Sequence, residues 1–262
     1  MKIHEKRTFI ILCLIFFSLS STSCGKDSKP QEGEKPLVET HVDKLMHGFT
    51  IRIEASAEKY ATTQQALSKM NADLALIVPF FTEEQLIILR KNPIWMEVSR
   101  DNGAAVFHPS RQWLVENGVN PDKAQCVEIS NMTNYVSWSQ QNQPLMILHE
   151  LAHLYHHQAM DAGFDNPRIK TVFEAARASG KYNSVRYYSG SDTLENRKAY
   201  AMNDQMEYFA EISEAYFGNN DYYPFTHDDL ETFDLEGFTL LEEIWGTRSA
   251  SPISKTPTPK SR

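Results

Sequence analysis

The stretch HELAHLYHH (residues 149–157) packs four histidines and one glutamate into nine positions. Leu145, Leu148, Leu151, Ala152 and Tyr155 make the surrounding segment apolar on more than one helical face, with Pro144 marking its first turn. The spacing therefore predicts a central, buried helix. Polar side chains on such a helix are costly unless something satisfies them, so His149, Glu150 and His153 need a partner. His149 and His153 are four apart, one turn along one face, which lets two imidazole nitrogens converge on a tetrahedral Zn²⁺. Glu150, offset by one residue, reaches a metal-bound water rather than the metal. That is the HExxH pattern.

His156 and His157 extend the run. In the metzincin pattern a glycine stands at the position of His156 and a third ligand at that of Ala159, so the sequence excludes that class. A straight helix cannot wrap three ligands around one ion, and His156 and His157 are expected behind the ligands or at the surface. The third ligand must come from elsewhere. Asn203 to Phe217 (NDQMEYFAEISEAYF) has a helical apolar pattern in Met206, Phe209, Ile212, Tyr216 and Phe217, with a stripe of Glu207, Glu211 and Glu214. Like charges at that spacing repel, and no Lys or Arg is interleaved. The stripe is either a solvated face or faces a cation.

Around these helices the pattern is α+β. FTIRIE (49–54) alternates like a strand, and a helix is expected from Ala57 to Ile77. Thr82 and Gln85 form a capping box for a helix reaching Lys91. Strands are expected at Trp95 to Ser99, Ala104 to His108 and Cys126 to Ser130, with a short helix over 110–117 closed by Gly118.

At the N-terminus Lys2, Lys6 and Arg7 precede an apolar run too short to span a bilayer, and small residues lead into Cys24. The pattern resembles a lipoprotein signal over residues 1–23, with Cys24 as the lipidated membrane anchor. The alternative is an ordinary cleaved secretory signal, and either way the chain is exported. Residues 24–36 and 249–262 are polar and rich in Pro and Lys, as a tether and a tail would be, leaving a folded unit over 37–248. The formal charge is −8 for 262 residues, more negative still without the signal, so nucleic acid is not an expected partner. Of three cysteines only Cys126 falls within that unit, which excludes a disulfide framework and suggests a buried structural thiol.

HELAH followed by a downstream glutamate resembles the gluzincin metallopeptidases. AYAMNDQMEYFAEISEAYF (199–217) is similar to the catalytic domain of anthrax lethal factor and related secreted proteins. HPSRQWLVENG (108–118), ASGKYNSV (178–185) and NNDYYPF (219–225) also look like segments of the smaller exported members. The resemblance covers roughly Ala104 to Gly246. It implies a zincin fold, one Zn²⁺ per chain on His149, His153 and Glu207, and Tyr200, seven residues before Glu207, as the oxyanion donor. It also implies that CVEIS (126–130) is the sheet edge on which a peptide substrate lies. Glu150 would then be the general base for zinc-activated water, and Glu211, one turn from Glu207, would accept the outer N–H of a zinc-bound histidine. Two alternatives stay open: a non-catalytic surface protein holding structural zinc, and a zinc hydrolase of another cell-envelope amide. His108 and His227 receive no role.

Overall fold

The computed structural model describes residues 40–248. The expected signal, the anchor at Cys24, the tether and the tail lie outside these residues. Among the described residues, no helix is long and apolar enough to cross a membrane.

The chain begins with a hairpin, β1 (His41–Met46) and β2 (Phe49–Glu54). His47 and Gly48 join them, both at positive φ as a two-residue hairpin turn requires. Helix α1 (Ala61–Ile77) and helix α2 (Glu83–Leu89) follow, the latter opened by the expected Thr82/Gln85 capping box. Then come β3 (Ile94–Met96), β4 (Val106–Phe107), α3 (Arg111–Glu116) and β5 (Val127–Ile129). The helical half comprises α4 (Met132–Gln141), α5 (Met146–Ala159) and α6 (Pro167–Ser179). A small hairpin of β6 (Val185–Tyr188) and β7 (Thr193–Arg197) precedes α7 (Gln205–Phe217), α8 (His227–Phe233) and α9 (Leu235–Trp245). This is an α+β architecture. The sequence reading missed β1, α4, α6, the second hairpin and the last two helices.

Five strands form one mixed sheet in the order β1-β2-β3-β5-β4, parallel in the middle and antiparallel at both edges. Period-two alternation sorts the side chains. Ile51, Ile53, Ile94, Met96, Val127, Ile129 and Phe107 share one face and join the buried core with α1 and α5. Arg52, Trp95 and Glu128 are register partners on the other face.

Strand β5 lies between β3 and β4, so CVEIS is not the sheet edge; the edges are β1 and β4. Sheet order follows from long-range pairing, which a local alternation does not encode. Ser130 and His108 donate their main-chain N–H groups to Ala104 and Cys126. Positions 104, 106 and 108 thus face β5, and Ala105 and Phe107 turn their main-chain groups outward.

Helix α5 packs against β4 and β5, against α1 and α2, and most extensively against α7. Its helical span starts at Met146 rather than at Pro144, and it is buried along most of its length, as its apolar faces require. Cys126 is a buried free thiol whose pKa is raised by burial.

Candidate metal centre

Two helices build the site. Helix α5 presents His149, Glu150 and His153, and α7 presents Glu207 in its first turn. The start of α7 is fixed by Asp204, whose carboxylate accepts from the N–H groups of Met206 (2.8 Å) and Glu207 (2.9 Å). A short 3₁₀ turn, Tyr200–Met202, sits against α7 and brings the Tyr200 hydroxyl to 3.4 Å from Glu207 Oε1.

His149 Nε2 lies 3.1 Å from Glu207 Oε2 and 3.1 Å from His153 Nε2, and His153 Nε2 lies 3.4 Å from the same Glu207 oxygen. A tetrahedral ion with bonds of about 2.0–2.1 Å separates its ligand atoms by roughly 3.3 Å. The triangle thus has the size of one face of a zinc coordination shell. An ion held there would keep its fourth position for solvent or substrate.

The protonation pattern points the same way. His149 Nδ1 lies 2.7 Å from Glu214 Oε1, and because a carboxylate only accepts, Nδ1 carries the proton. In a neutral imidazole Nε2 then holds a lone pair aimed at a second lone pair and a carboxylate oxygen, an arrangement that needs a cation. Without a metal, protons take that part. Burial works against a charged His149, but hydrogen bonds to Glu207 and Glu214 outweigh it and raise its pKa well above the usual histidine value. Burial alone would raise Glu207; the His153 charge and the bond to His149 overcome it and hold the carboxyl far below its usual range.

Glu150 and Tyr200 border this triangle. Burial pushes the Glu150 carboxyl up, against the lowering pull of His149, His153 and the Phe107 main-chain amide. Burial, followed by the charges of Glu207 and Glu150, raises the Tyr200 phenol far above the ordinary tyrosine value, so it stays protonated and remains a donor.

The structure thus gathers all five sequence-predicted residues: His149, Glu150, His153, Tyr200 and Glu207. It corrects one reading beside them and decides between the two places left open for His156. The carboxylate that orients His149 is Glu214, not Glu211. Seven residues return to within about 20° of the same helix azimuth, so Glu207 and Glu214 lie in line and hold the His149 ring from both ends. Glu211 lies within 4.8 Å of both His149 and Glu214, but it accepts from Asn220 Nδ2 at 3.2 Å. Burial and then the charge of Asp221 raise its pKa well above normal. His156 is not a surface residue: it is fully buried between the rings of Phe164 and Phe209, with neither nitrogen partnered, and burial lowers its pKa to about 3. His157 packs on Phe107 and Phe164. Both act as aromatic spacers behind the ligands.

Sequence reasoning missed Asn142 and Asp221, which bond each other at 3.1 Å behind Glu214 and Glu211. Asp221 falls in the family-like NNDYYPF segment but receives no role there, and nothing in the local pattern marks Asn142. Compared with known proteins, the chain matches no family model, no curated protein and no solved structure.

Proposed function

We propose that this chain is an exported zinc metallopeptidase with a zincin-like fold of the gluzincin class, anchored to the cell envelope through a lipidated Cys24. The observation that carries the reading is the triangle of His149, His153 and Glu207, sized for one zinc ion, with a general base and a phenol beside it. Bound there, zinc supplies Lewis-acid stabilisation of developing negative charge and lowers the pKa of a water towards about 7.

The chain's own groups do the rest. Glu150 takes the proton from the water that attacks the peptide carbonyl and later delivers it to the leaving amine. Its depressed acidity in the buried site suits a group that must both accept and return a proton. The Tyr200 hydroxyl donates to the developing oxyanion. Glu214 holds the His149 tautomer that leaves Nε2 free for metal. The outward main-chain groups of Ala105 and Phe107 accept an extended substrate as an added strand, so the substrate class is peptide or protein. A protein that merely stored zinc would need neither Glu150 nor Tyr200.

Two measurements test this. Protein purified without residues 1–23 and dialysed mildly should carry about one Zn²⁺ per chain. Glu150→Gln should keep that zinc while peptide cleavage, followed by mass spectrometry on a peptide panel, falls by roughly a hundredfold or more. A folded protein that takes up no zinc, or a wild type that cleaves no peptide, overturns the reading.

A further inference from the structure

Strand β4 is two residues long and forms one of the sheet's two edges, yet it bears on the site directly: it packs against α5, the helix that presents Glu150. A ladder of that length does not hold itself in place, and a slip of one residue would turn Phe107 out of the core. Something must fix it. On the face of the sheet away from α5, Glu128 of β5 is completely buried. Its Oε1 accepts from Arg100 Nε (2.8 Å) and Lys123 Nζ (2.8 Å), and its Oε2 lies 2.5 Å from His108 Nε2. Lys123 is itself buried and also pairs with Glu97.

Burying such a network is no gain in stability over an apolar pair of the same volume, and its best-attested use is to fix register. His108 is the member that follows β4 in the chain, next to Phe107. Its ring is further held by Trp113 of α3, at 6.3 Å between centroids. The contacts therefore run from Glu128 through His108 and β4 to α5, which carries Glu150.

We infer that His108 is a positioning residue of this site: its buried bond to Glu128 sets strand β4, and β4 in turn sets both Glu150 and the edge that receives substrate. This inference rests on the peptidase reading, so its test has one arm that needs no activity. In the zinc-loaded full chain, His108→Gln keeps a side-chain N–H that reaches Glu128, whereas His108→Asn is one methylene too short. The Asn variant should retain its zinc but lose about ten- to a hundredfold in kcat/KM on a peptide long enough to line β4, as a displacement near 1 Å would produce. Its KM for a short substrate spanning only the scissile bond should not change. The Gln variant should restore most of the loss.

Independently, exchange of the ladder amides that pair β4 with β5, those of Ser130 and of position 108, should accelerate in the Asn variant and not in the Gln variant. Wild-type kinetics and exchange in the Asn variant would overturn the inference, as would a Gln variant as impaired as Asn. If the wild type cleaves no peptide, the peptidase reading falls, and the exchange comparison still decides the role of His108. If the Asn variant does not fold, exchange in the Gln variant decides: native protection supports the bond, and its loss refutes it.

Discussion

Two buried clusters of charge in this molecule solve the same electrostatic problem differently. On one face of the sheet, Glu128 is surrounded by the protein's own donors: the Arg100 and Lys123 cations and the His108 ring. On the other side, around α5 and α7, Glu207 and Glu214 find only histidines within ion-pair distance among the described residues, with Glu211 and Asp221 buried close behind. A buried carboxylate needs compensation wherever it sits. The first cluster is complete as the chain folds it. The second is short of positive charge, and its ligand atoms converge at the spacing of a metal shell. The difference separates a structural network from a site.

The largest expected break in that contrast is Glu207→Ala. A complete zinc set contributes roughly 10–16 kcal/mol, so losing one protein ligand should lower zinc affinity on the order of a thousandfold and abolish cleavage, with the fold retained by circular dichroism. Competition titration against a chelator measures it; near-native affinity would remove Glu207 from the site. Glu128→Ala should show the opposite profile. It leaves the buried Lys123 with Glu97 alone and the buried His108 ring without its partner, while the exposed Arg100 keeps Asp101, and urea unfolding should report a loss of about 3 kcal/mol. Unaltered stability would mean that solvent reaches those groups.

A smaller effect sharpens the contrast within α7. Glu214→Ala should weaken zinc binding by about ten- to a hundredfold, the usual effect of losing a histidine's outer partner, and Glu211→Ala should weaken it less. The reverse order would return the orienting role to Glu211 and contradict the 2.7 Å contact of His149 with Glu214.

The smallest expected effect concerns acid. His156 has its folded pKa lowered to about 3, against about 6.5 in the unfolded chain, because burial disfavours its charged form. Its neutral state is fully compatible with the fold above pH 6.5. As pH falls below that value the unfolded chain takes up a proton that the folded one refuses, and stability drops until pH 3. At pH 5 the loss relative to pH 7 is about 2 kcal/mol. Glu128, with its pKa lowered to about 2, adds a further loss only below about pH 4.5, the usual value for a glutamate. Its three donors outweigh the burial that opposes its charge. His156→Phe should flatten the stability profile between pH 7 and 5 and leave the limb below pH 4.5. An unflattened profile would show that His156 is protonated in the folded protein.

Much of this was legible in the residues themselves. His149 and His153 share a helical face by spacing alone, and the apolar surroundings of HELAHLYHH required that face to be buried. The Thr82/Gln85 cap, the FTIRIE strand and the helical stripe of Glu207, Glu211 and Glu214 are all local patterns, set by the periods of 2 and 3.6 residues. β1 left no such trace, since HVDKLM does not alternate and the His47-Gly48 turn lacks the usual Asn-Gly or Asp-Gly signal.

What only the tertiary structure decided is long-range. The sheet order put β4, not CVEIS, at the edge, because strand neighbours are chosen by contacts between segments far apart in the chain. The crossing of α5 over α7 gave His149 to Glu214, since which of three aligned carboxylates meets a ring depends on where the helices touch. The same packing buried His156 between two phenyl rings. A one-dimensional period fixes which face a residue occupies; what stands opposite that face is settled only when the elements pack.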